Sequence, residues 1–129
     1  MNPADRDTQL LALHNAERAK AGLPPLGLDA TLTGAARAFA AELARRDVIT
    51  HEGLDGSSPW DRIYAAGYPR VAVGENAAQG QDTPAFAVQC WMESSGHRAN
   101  ILGRQYARVG FGYAASAKGT PYWIADFGG

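Results

Sequence analysis

The stretch Val109–Tyr113, which reads VGFGY, decides how this chain folds. Bulky apolar residues alternate with glycines in it, a period of two that predicts a β-strand. The glycines leave one face of the strand bare, so that a helix or a ligand can approach the backbone closely. A second strand is predicted over Tyr122–Phe127, and the intervening segment 115–121 suits a hairpin. The C-terminal part of the chain therefore predicts an antiparallel pair of strands.

Helical periodicity dominates the chain before that pair. The first helix is expected to begin at Asp7 or Thr8, either of which can serve as its N-cap, and to end at Gly22, which precedes Leu23 and two prolines. A second helix starts near Asp29, and Arg46 suits its negatively polarised C-terminal end. One face of each helix is formed by Leu10, Leu13, His14, Glu17 and Ala21 in the first, and by Leu32, Ala35, Ala36, Phe39 and Leu43 in the second.

Two shorter helices are predicted from one start signal, a hydroxyl side chain followed by proline. One begins at Ser58-Pro59 and stops at Gly67, and the other begins at Thr83-Pro84 and ends at Gly96. Between them, Val71–Ala77 alternates as a strand does. Helices first and an antiparallel pair last predict an α+β fold in which helices pack on a small sheet, as a single domain over residues 1–129.

The composition excludes several classes of protein. Of the 129 residues, 46% are hydrophobic, which is enough for a packed core and too many for a disordered chain. Twelve Lys and Arg stand against 13 Asp and Glu, so no basic field is available to hold a nucleic acid. No apolar run approaches the roughly 20 residues of a membrane-spanning helix. The one cysteine, Cys90, cannot form an internal disulfide, and its place on an apolar helix face favours the core over a nucleophilic role.

Three histidines are candidates for chemistry. His14 lies within the apolar stripe of the first helix, which favours a hydrogen-bonded structural role. His51 lies in the glycine-rich segment 50–56, where a loop can display a functional group. That segment is not the helical zinc-protease motif, because the fourth residue after His51 is Asp55 and two glycines oppose a helix. His97 follows the expected helix end at Gly96, where a cation can cap the helix.

Glu75 is an acid among the valines of a predicted strand. A carboxylate in that setting is costly unless it is paired, so we expect it to have a partner. With His51 and His97 it would suffice for a two-histidine site for a divalent metal, or for an acid–base pair. Spacing leaves both hypotheses open. A serine hydrolase is not favoured, because the chain has no Gly-x-Ser-x-Gly motif.

Taken together, these segments resemble the CAP superfamily, named for cysteine-rich secretory proteins, antigen-five and pathogenesis-related proteins, whose domain is also called SCP. The resemblance runs from about Leu10 to Gly128 in the family's order, and its later motifs look like the bacterial branch. The matching segments are His14–Ala19, Gly22–Leu26, His51, Gly74–Asn76, Trp91-Met92 with Ser94, Gly96–Leu102, Val109–Gly112 and Tyr122–Gly128.

The resemblance implies an α-β-α sandwich, a small and mainly antiparallel sheet flanked by helices, with an open cleft. In the family this cleft holds two histidines and two glutamates, and some members bind zinc or another divalent cation through the histidines. His51 and His97 match the histidines and Glu75 matches the first glutamate. Ser94 stands where the second glutamate is expected. Glu93 is one residue earlier and would point about 100° away on a helix.

Three functions are compatible with these residues. The first is an exported binding module whose cleft (His51, Glu75, Ser94 and His97) takes a small lipid, sterol, glycan or peptide, or meets a cell-surface partner, with a divalent cation held by the two histidines. The second is a metal-dependent hydrolase acting on peptides, in which Glu75 is the general base. The third is a hydrogen-bonded structural centre without metal or substrate. We expect a monomer that acts outside the cytoplasm; residues 1–5 lack the apolar segment of a signal peptide, which predicts a mature or trimmed start.

Overall fold

Helices cover both faces of a four-stranded sheet in the computed structural model, which describes all 129 residues. The strand order is β1-β3-β4-β2, with β1 parallel to β3 and the other neighbours antiparallel. The helices are α1 (Pro3–Lys20), α2 (Ala30–Arg46), α3 (Pro59–Ala65), α4 (Pro84–Met92) and α5 (Ser95–Ile101). The strands are β1 (Gly27–Leu28), β2 (Val73–Gln79), β3 (Arg108–Ala115) and β4 (Pro121–Gly128). The predicted α+β class and the α-β-α sandwich are confirmed.

The bare face of β3 is covered by α2. A Cβ atom at Gly110 would overlap the backbone of Thr33, and one at Gly112 would overlap the backbone of Ala36. The two glycines therefore let the helix lie directly on the strand, as the alternation predicted. On the opposite face, α1, α4 and α5 pack over an apolar cluster that includes Trp91, which is 1% exposed.

Two helix boundaries differ from the sequence prediction. The first helix begins at Pro3 rather than near Asp7 or Thr8, because Asn2 caps it by accepting a hydrogen bond from the Asp5 N–H at 2.8 Å. This is the cap-plus-proline signal that also starts α3 and α4.

The prediction of one helix ending at Gly96 is also wrong. Helix α4 ends at Met92, and Ser94, with extended backbone, starts α5. His97 therefore lies in the first turn of a new helix and does not cap the end of an old one. Strand β2 begins at Val73, two residues later than expected, and the two-residue β1 was not predicted.

Helix α1 buries two polar side chains on one face. His14 is fully buried, its Nδ1 donates to the Leu10 carbonyl at 2.7 Å, and its ring lies among Trp91, Phe111 and Phe127. Burial lowers the pKa of His14 to about 4, so the ring is neutral at physiological pH. The structural role expected for this histidine is confirmed.

Arg18, one turn further along α1, is 1% exposed and has no carboxylate partner. Its guanidinium donates four hydrogen bonds of 2.8 to 3.2 Å to backbone carbonyls. The acceptors are the carbonyls of Pro24, Ile101, Gly103 and Tyr106. Arg18 thus fastens the end of α5 and the loop after it to α1. None of the five helices combines the length and apolar character that a bilayer crossing needs.

Candidate functional site

A cleft of about 340 Å³ opens at the β2 edge of the sheet, between the two helical layers. One wall comes from the loop and helix start on the α3 side, and the other from α5 and the loop that follows it. Backbone of β2 forms the floor. The lining residues are His51, Pro59 and Trp60 on the first wall, Asn100 and Tyr106 on the second, and Val73, Gly74 and Glu75 on the floor.

Glu75 is the charged centre of this cleft. Its side chain is fully buried, and Arg62 holds it with two hydrogen bonds, from Nη1 to Oε2 at 2.8 Å and from Nη2 to Oε1 at 3.1 Å. Nδ1 of His51 lies 3.0 Å from the same Oε1. Burial alone would raise the pKa of Glu75, but the hydrogen bonds from His51 and Arg62 outweigh it and hold the pKa at about 2. Glu75 was expected to have a charge partner, and the structure identifies that partner as Arg62.

Arg62 is itself held in place on three sides. Beyond Glu75, its Nη2 donates to the His51 carbonyl at 2.6 Å, and its guanidinium stacks 3.4 Å above the Phe39 ring. The capping box formed by Ser58 and Asp61 fixes the start of the helix that carries it. The loop bearing His51 is therefore tied to α3 by the same cation that neutralises Glu75.

Asp126 lies directly behind Glu75, opposite it in the antiparallel register of β2 and β4. It is fully buried, and no donor group of the protein reaches either of its carboxyl oxygens. Burial, with the charge of Glu75 next, raises the pKa of Asp126 well above that of an ordinary carboxyl. Two neighbouring buried carboxyl groups cannot both be ionised, so Asp126 keeps its proton beside the charged Glu75.

His51 lies on the loop between α2 and α3, as predicted, with its side chain about half exposed. Because Nδ1 faces the Glu75 carboxylate, the proton belongs on Nδ1 and Nε2 keeps a free lone pair. This is the tautomer that suits a histidine as an acceptor or as a metal ligand.

His97 stands near the cleft but does not line it. Its carbonyl accepts a hydrogen bond from Asn76 Nδ2 at 3.0 Å, and Asn100 Nδ2 bridges Asn76 Oδ1 and the Glu75 carbonyl at 2.8 and 3.2 Å. These amides fix α5 against β2. Burial lowers the pKa of His97, and the electrostatic influence of His51 is a second, smaller cause in the same direction.

Ser94 and Glu93 are not brought into this cleft. Ser94 is the first residue before α5, and its hydroxyl makes no capping hydrogen bond. Glu93 lies in a separate groove between α1 and α4, with Leu13 and Met92. Neither side chain therefore supplies the second carboxylate that the family pattern expects beside His51, Glu75 and His97.

The donor set bears on whether a metal ion can be held here. No group of three or more His, Cys, Asp and Glu side chains is arranged to hold one, and both oxygens of Glu75 already accept hydrogen bonds from Arg62. The predicted ligands are thus two imidazoles, of His51 and His97. Two imidazoles would leave the other positions of a cation to solvent, and they fall short of the three protein ligands of a catalytic centre.

Sequence reasoning missed four residues of the site: Arg62, Asp126, Trp60 and Tyr106. Asp126 could have been found, because it is an acid among the apolar residues of a predicted strand, the same signal that singled out Glu75. Arg62 occupies a helix position that is expected to be exposed, and no local pattern predicts its contact with β2.

Known proteins resemble this chain over nearly its whole length. Residues 11–127 match the family model described as "CAP: Cysteine-rich secretory protein family". The chain is 37% identical over 121 residues to the uncharacterised protein YkwD of Bacillus subtilis, an alignment that covers 94% of this chain and 46% of YkwD. It spans less than half the length of the curated relatives it matches.

Solved structures share the fold at lower identity. An outer surface protein from Borrelia burgdorferi superposes with a TM-score of 0.88 at 23% identity, covering 99% of this chain and 95% of that one. An extracellular protein containing an SCP domain from Bacillus anthracis gives 0.85 at 22% identity, covering 99% of this chain and 44% of that one.

Proposed function

Because the chain belongs to the cysteine-rich secretory protein (CAP) family, we propose that it is an exported binding module and that the cleft beside β2 is its ligand site. The observation that carries this proposal is the state of Glu75. Its charge is compensated by Arg62, and it has no oxygen free of hydrogen bonds. Such a group shapes and stiffens a site and is poorly suited to exchanging protons with a substrate.

The walls of the cleft support ligand capture. Trp60 is 53% exposed at its mouth, an unusual position for a large aromatic side chain, and Tyr106 faces it from the other wall. A volume of about 340 Å³ lies at the lower end of the range for small-molecule sites. We propose a lipid, glycan or peptide as the ligand, presented as a free molecule or by a cell-surface partner.

We further propose that a divalent cation such as zinc binds to the imidazoles of His51 and His97. The Nδ1 hydrogen bond to Glu75 orients the His51 ring as carboxylates orient metal-binding histidines. With two protein ligands, the affinity is expected to be modest and the cation to stabilise the two sides of the site against each other.

Metal-dependent hydrolysis is the second candidate, and the orientation of His51 by a carboxylate is what favours it. In that mechanism Glu75 would take a proton from a bound water. Its pKa of about 2 makes it a weak base, and a proton acceptor needs an oxygen that is free to turn to the substrate. The binding module is therefore the function that the geometry supports better.

We propose that this protein is exported, because two proteins with the same fold are found outside the cytoplasm. The Borrelia protein is an outer surface protein and the Bacillus anthracis protein is extracellular, and both share this fold over 99% of the chain. We propose the same side of the membrane for this protein, as a domain that bacteria use outside the cytoplasm.

The test is a survey by two-dimensional NMR and thermal denaturation with zinc, oligosaccharides, fatty acids and short peptides. Expected are shifts at His51 and Trp60 on ligand addition, and a zinc-dependent rise in Tm that disappears in the His51→Ala/His97→Ala double variant. Glu93→Ala, in the other groove, is the matched control and should keep the zinc effect.

Two results would contradict the proposal. A zinc effect unchanged in the double variant would remove the cation site. Peptide hydrolysis that Glu75→Gln abolishes while zinc binding persists would establish the hydrolase instead.

A further inference from the structure

Strand β2 is an edge of the sheet, because β4 is its only neighbouring strand. In an antiparallel ladder the N–H and C=O of one residue point to the same side, and successive residues alternate. Gly129 N–H donates to the Ala72 carbonyl and Gly80 N–H to the Pro121 carbonyl, so the even-numbered residues of β2 face β4. The odd-numbered residues consequently direct their peptide groups outwards.

Side chains already occupy part of this outer edge. Asn100 Nδ2 donates to the Glu75 carbonyl at 3.2 Å, and Trp91 Nε1 donates to the Ala77 carbonyl at 3.1 Å. The hydrogen bonds of loops, turns and caps include none to the peptide group of Val73 and none from the N–H of Glu75. One carbonyl and two N–H groups thus remain free along the segment Val73–Glu75.

This free segment is the floor of the cleft. Between its two outward residues lies Gly74, over which the Tyr106 hydroxyl sits so closely that a Cβ would collide with it. Trp60 and Pro59 stand on the other side. The open backbone edge is therefore the bottom of a slot with an aromatic side chain on each wall.

We propose that the cleft binds an extended peptide, which adds a short strand to the free edge of β2 at Val73 and Glu75. This inference rests on the proposed function and selects one of its three ligand classes. Val73 and Glu75 are two residues apart, roughly 6.8 Å in a strand, and a peptide presents its own outward groups with the same repeat. An acyl chain has no donors or acceptors to match them.

Only a short peptide segment can pair with the free edge of β2. Beyond Glu75 the edge is covered by Asn100 and Trp91, so about three peptide residues can lie on it before the added strand meets those side chains. Affinity then comes from the backbone hydrogen bonds, and specificity comes from side chains that reach Trp60 or Tyr106.

The test uses the unmodified chain and a random-sequence library of end-blocked pentapeptides. Selected peptides are expected to shift the amide signals of Val73 and Glu75 most and to slow their hydrogen exchange. Each selected peptide is then N-methylated at one residue at a time. Methylation of the residue that donates to the Val73 carbonyl should weaken binding about tenfold, and methylation of its two neighbours less than about twofold.

Trp60→Ala should also weaken binding about tenfold. Phe86→Ala, which changes an exposed aromatic residue on α4, is the control and should have no effect.

Pentapeptides that bind with no dependence on the methylated position would overturn the added strand. If pentapeptides fail while an oligosaccharide or a fatty acid shifts Trp60 and His51, the peptide inference falls and the proposed function stands. If no probe of any class shifts the cleft residues, both fall.

Discussion

Two arginines, the buried Arg18 and the largely buried Arg62, stabilise this fold from opposite faces of the sheet, and they do so differently. Arg18 has no counter-ion, and four backbone carbonyls compensate its charge. Arg62 is paired with a fully buried carboxylate, which in turn contacts an imidazole and a second, protonated carboxyl group.

The two arginine networks differ in how many of their hydrogen-bonding atoms lack a partner. At Arg18 three of the four acceptors, the carbonyls of Pro24, Ile101 and Tyr106, receive no other hydrogen bond from a loop, turn or cap, and the guanidinium leaves none of its three nitrogens without a partner. At the other centre Nε of Arg62 has no partner, neither oxygen of Asp126 receives a hydrogen bond, and Nε2 of His51 is free. Of these unused groups, the Asp126 oxygens and Arg62 Nε are buried, and only Nε2 of the half-exposed His51 is open to a ligand.

The largest effect is expected from Arg18→Met. The substitution leaves three of the four carbonyls without a donor, since Gly103 keeps the Tyr106 N–H, and we expect it to lower the free energy of unfolding by about 4 kcal/mol. Urea denaturation measures the change. Arg45→Met, at an exposed position of α2, is the control and should stay within about 0.5 kcal/mol of the parent. A small loss for Arg18→Met would show that solvent replaces its hydrogen bonds.

The next largest effect is a pH dependence of the free energy of unfolding, which comes from His14 on the α1 face of the sheet. The folded-state pKa of His14 is about 4, below its ordinary value of 6.5, so between these values the unfolded chain binds a proton that the folded chain does not. Stability from this group is therefore complete above pH 6.5 and is lost as the pH falls towards 4, by about 3 kcal/mol.

The measurement is unfolding free energy against pH for the parent and for His14→Phe, whose difference isolates this histidine from the carboxyl groups. An identical slope in both proteins between pH 4 and 6.5 would assign the titration elsewhere.

A smaller loss, about 2 kcal/mol, is expected from Glu75→Gln, which keeps the shape of the side chain and leaves the Arg62 charge without its partner. Arg62 is 13% exposed, so water recovers part of the cost. Adding Arg62→Met to Glu75→Gln should restore some of the lost stability, because the uncompensated charge is gone. A double variant that loses as much as the sum of the two single changes would argue against the pair.

The smallest effect is expected from Asp126→Asn, less than about 1 kcal/mol at about pH 4, because the carboxyl group it replaces is already neutral. Above its ordinary pKa the unfolded chain releases the Asp126 proton while the folded chain keeps it. Parent stability therefore falls as the pH rises through that window, and the asparagine variant does not share the fall. Its stability relative to the parent should improve from about pH 4 to about pH 7; a relative loss would mean that Asp126 is ionised.

Local signals explain how much of this fold was predictable. Asp29 and Ser58 predict their helices by capping them, and Gly110 and Gly112 predict the close approach of α2, since each signal acts over a few residues. Strand β1 was missed because two residues carry no period, and it exists only through its pairing with β3. The break between α4 and α5 depends on the backbone conformation of Ser94, which its sequence does not dictate.

The candidate site divides in the same way. That Glu75 needs a partner follows from its neighbours in the strand. That the partner is Arg62 depends on how the loop of His51 packs, and that Asp126 faces Glu75 depends on the register of two strands far apart in sequence. These are tertiary facts, and no local pattern encodes them.

The hydrogen bonds of Arg18 also influence the order in which parts of the molecule fold. They join α1 to Ile101, Gly103 and Tyr106 across 83 to 88 residues, and Tyr106 is one wall of the cleft. During synthesis the first helix leaves the ribosome long before that wall exists, and closing so long a loop is slow. The cleft is therefore expected to be among the last parts to form, since its Tyr106 wall depends on these long-range contacts.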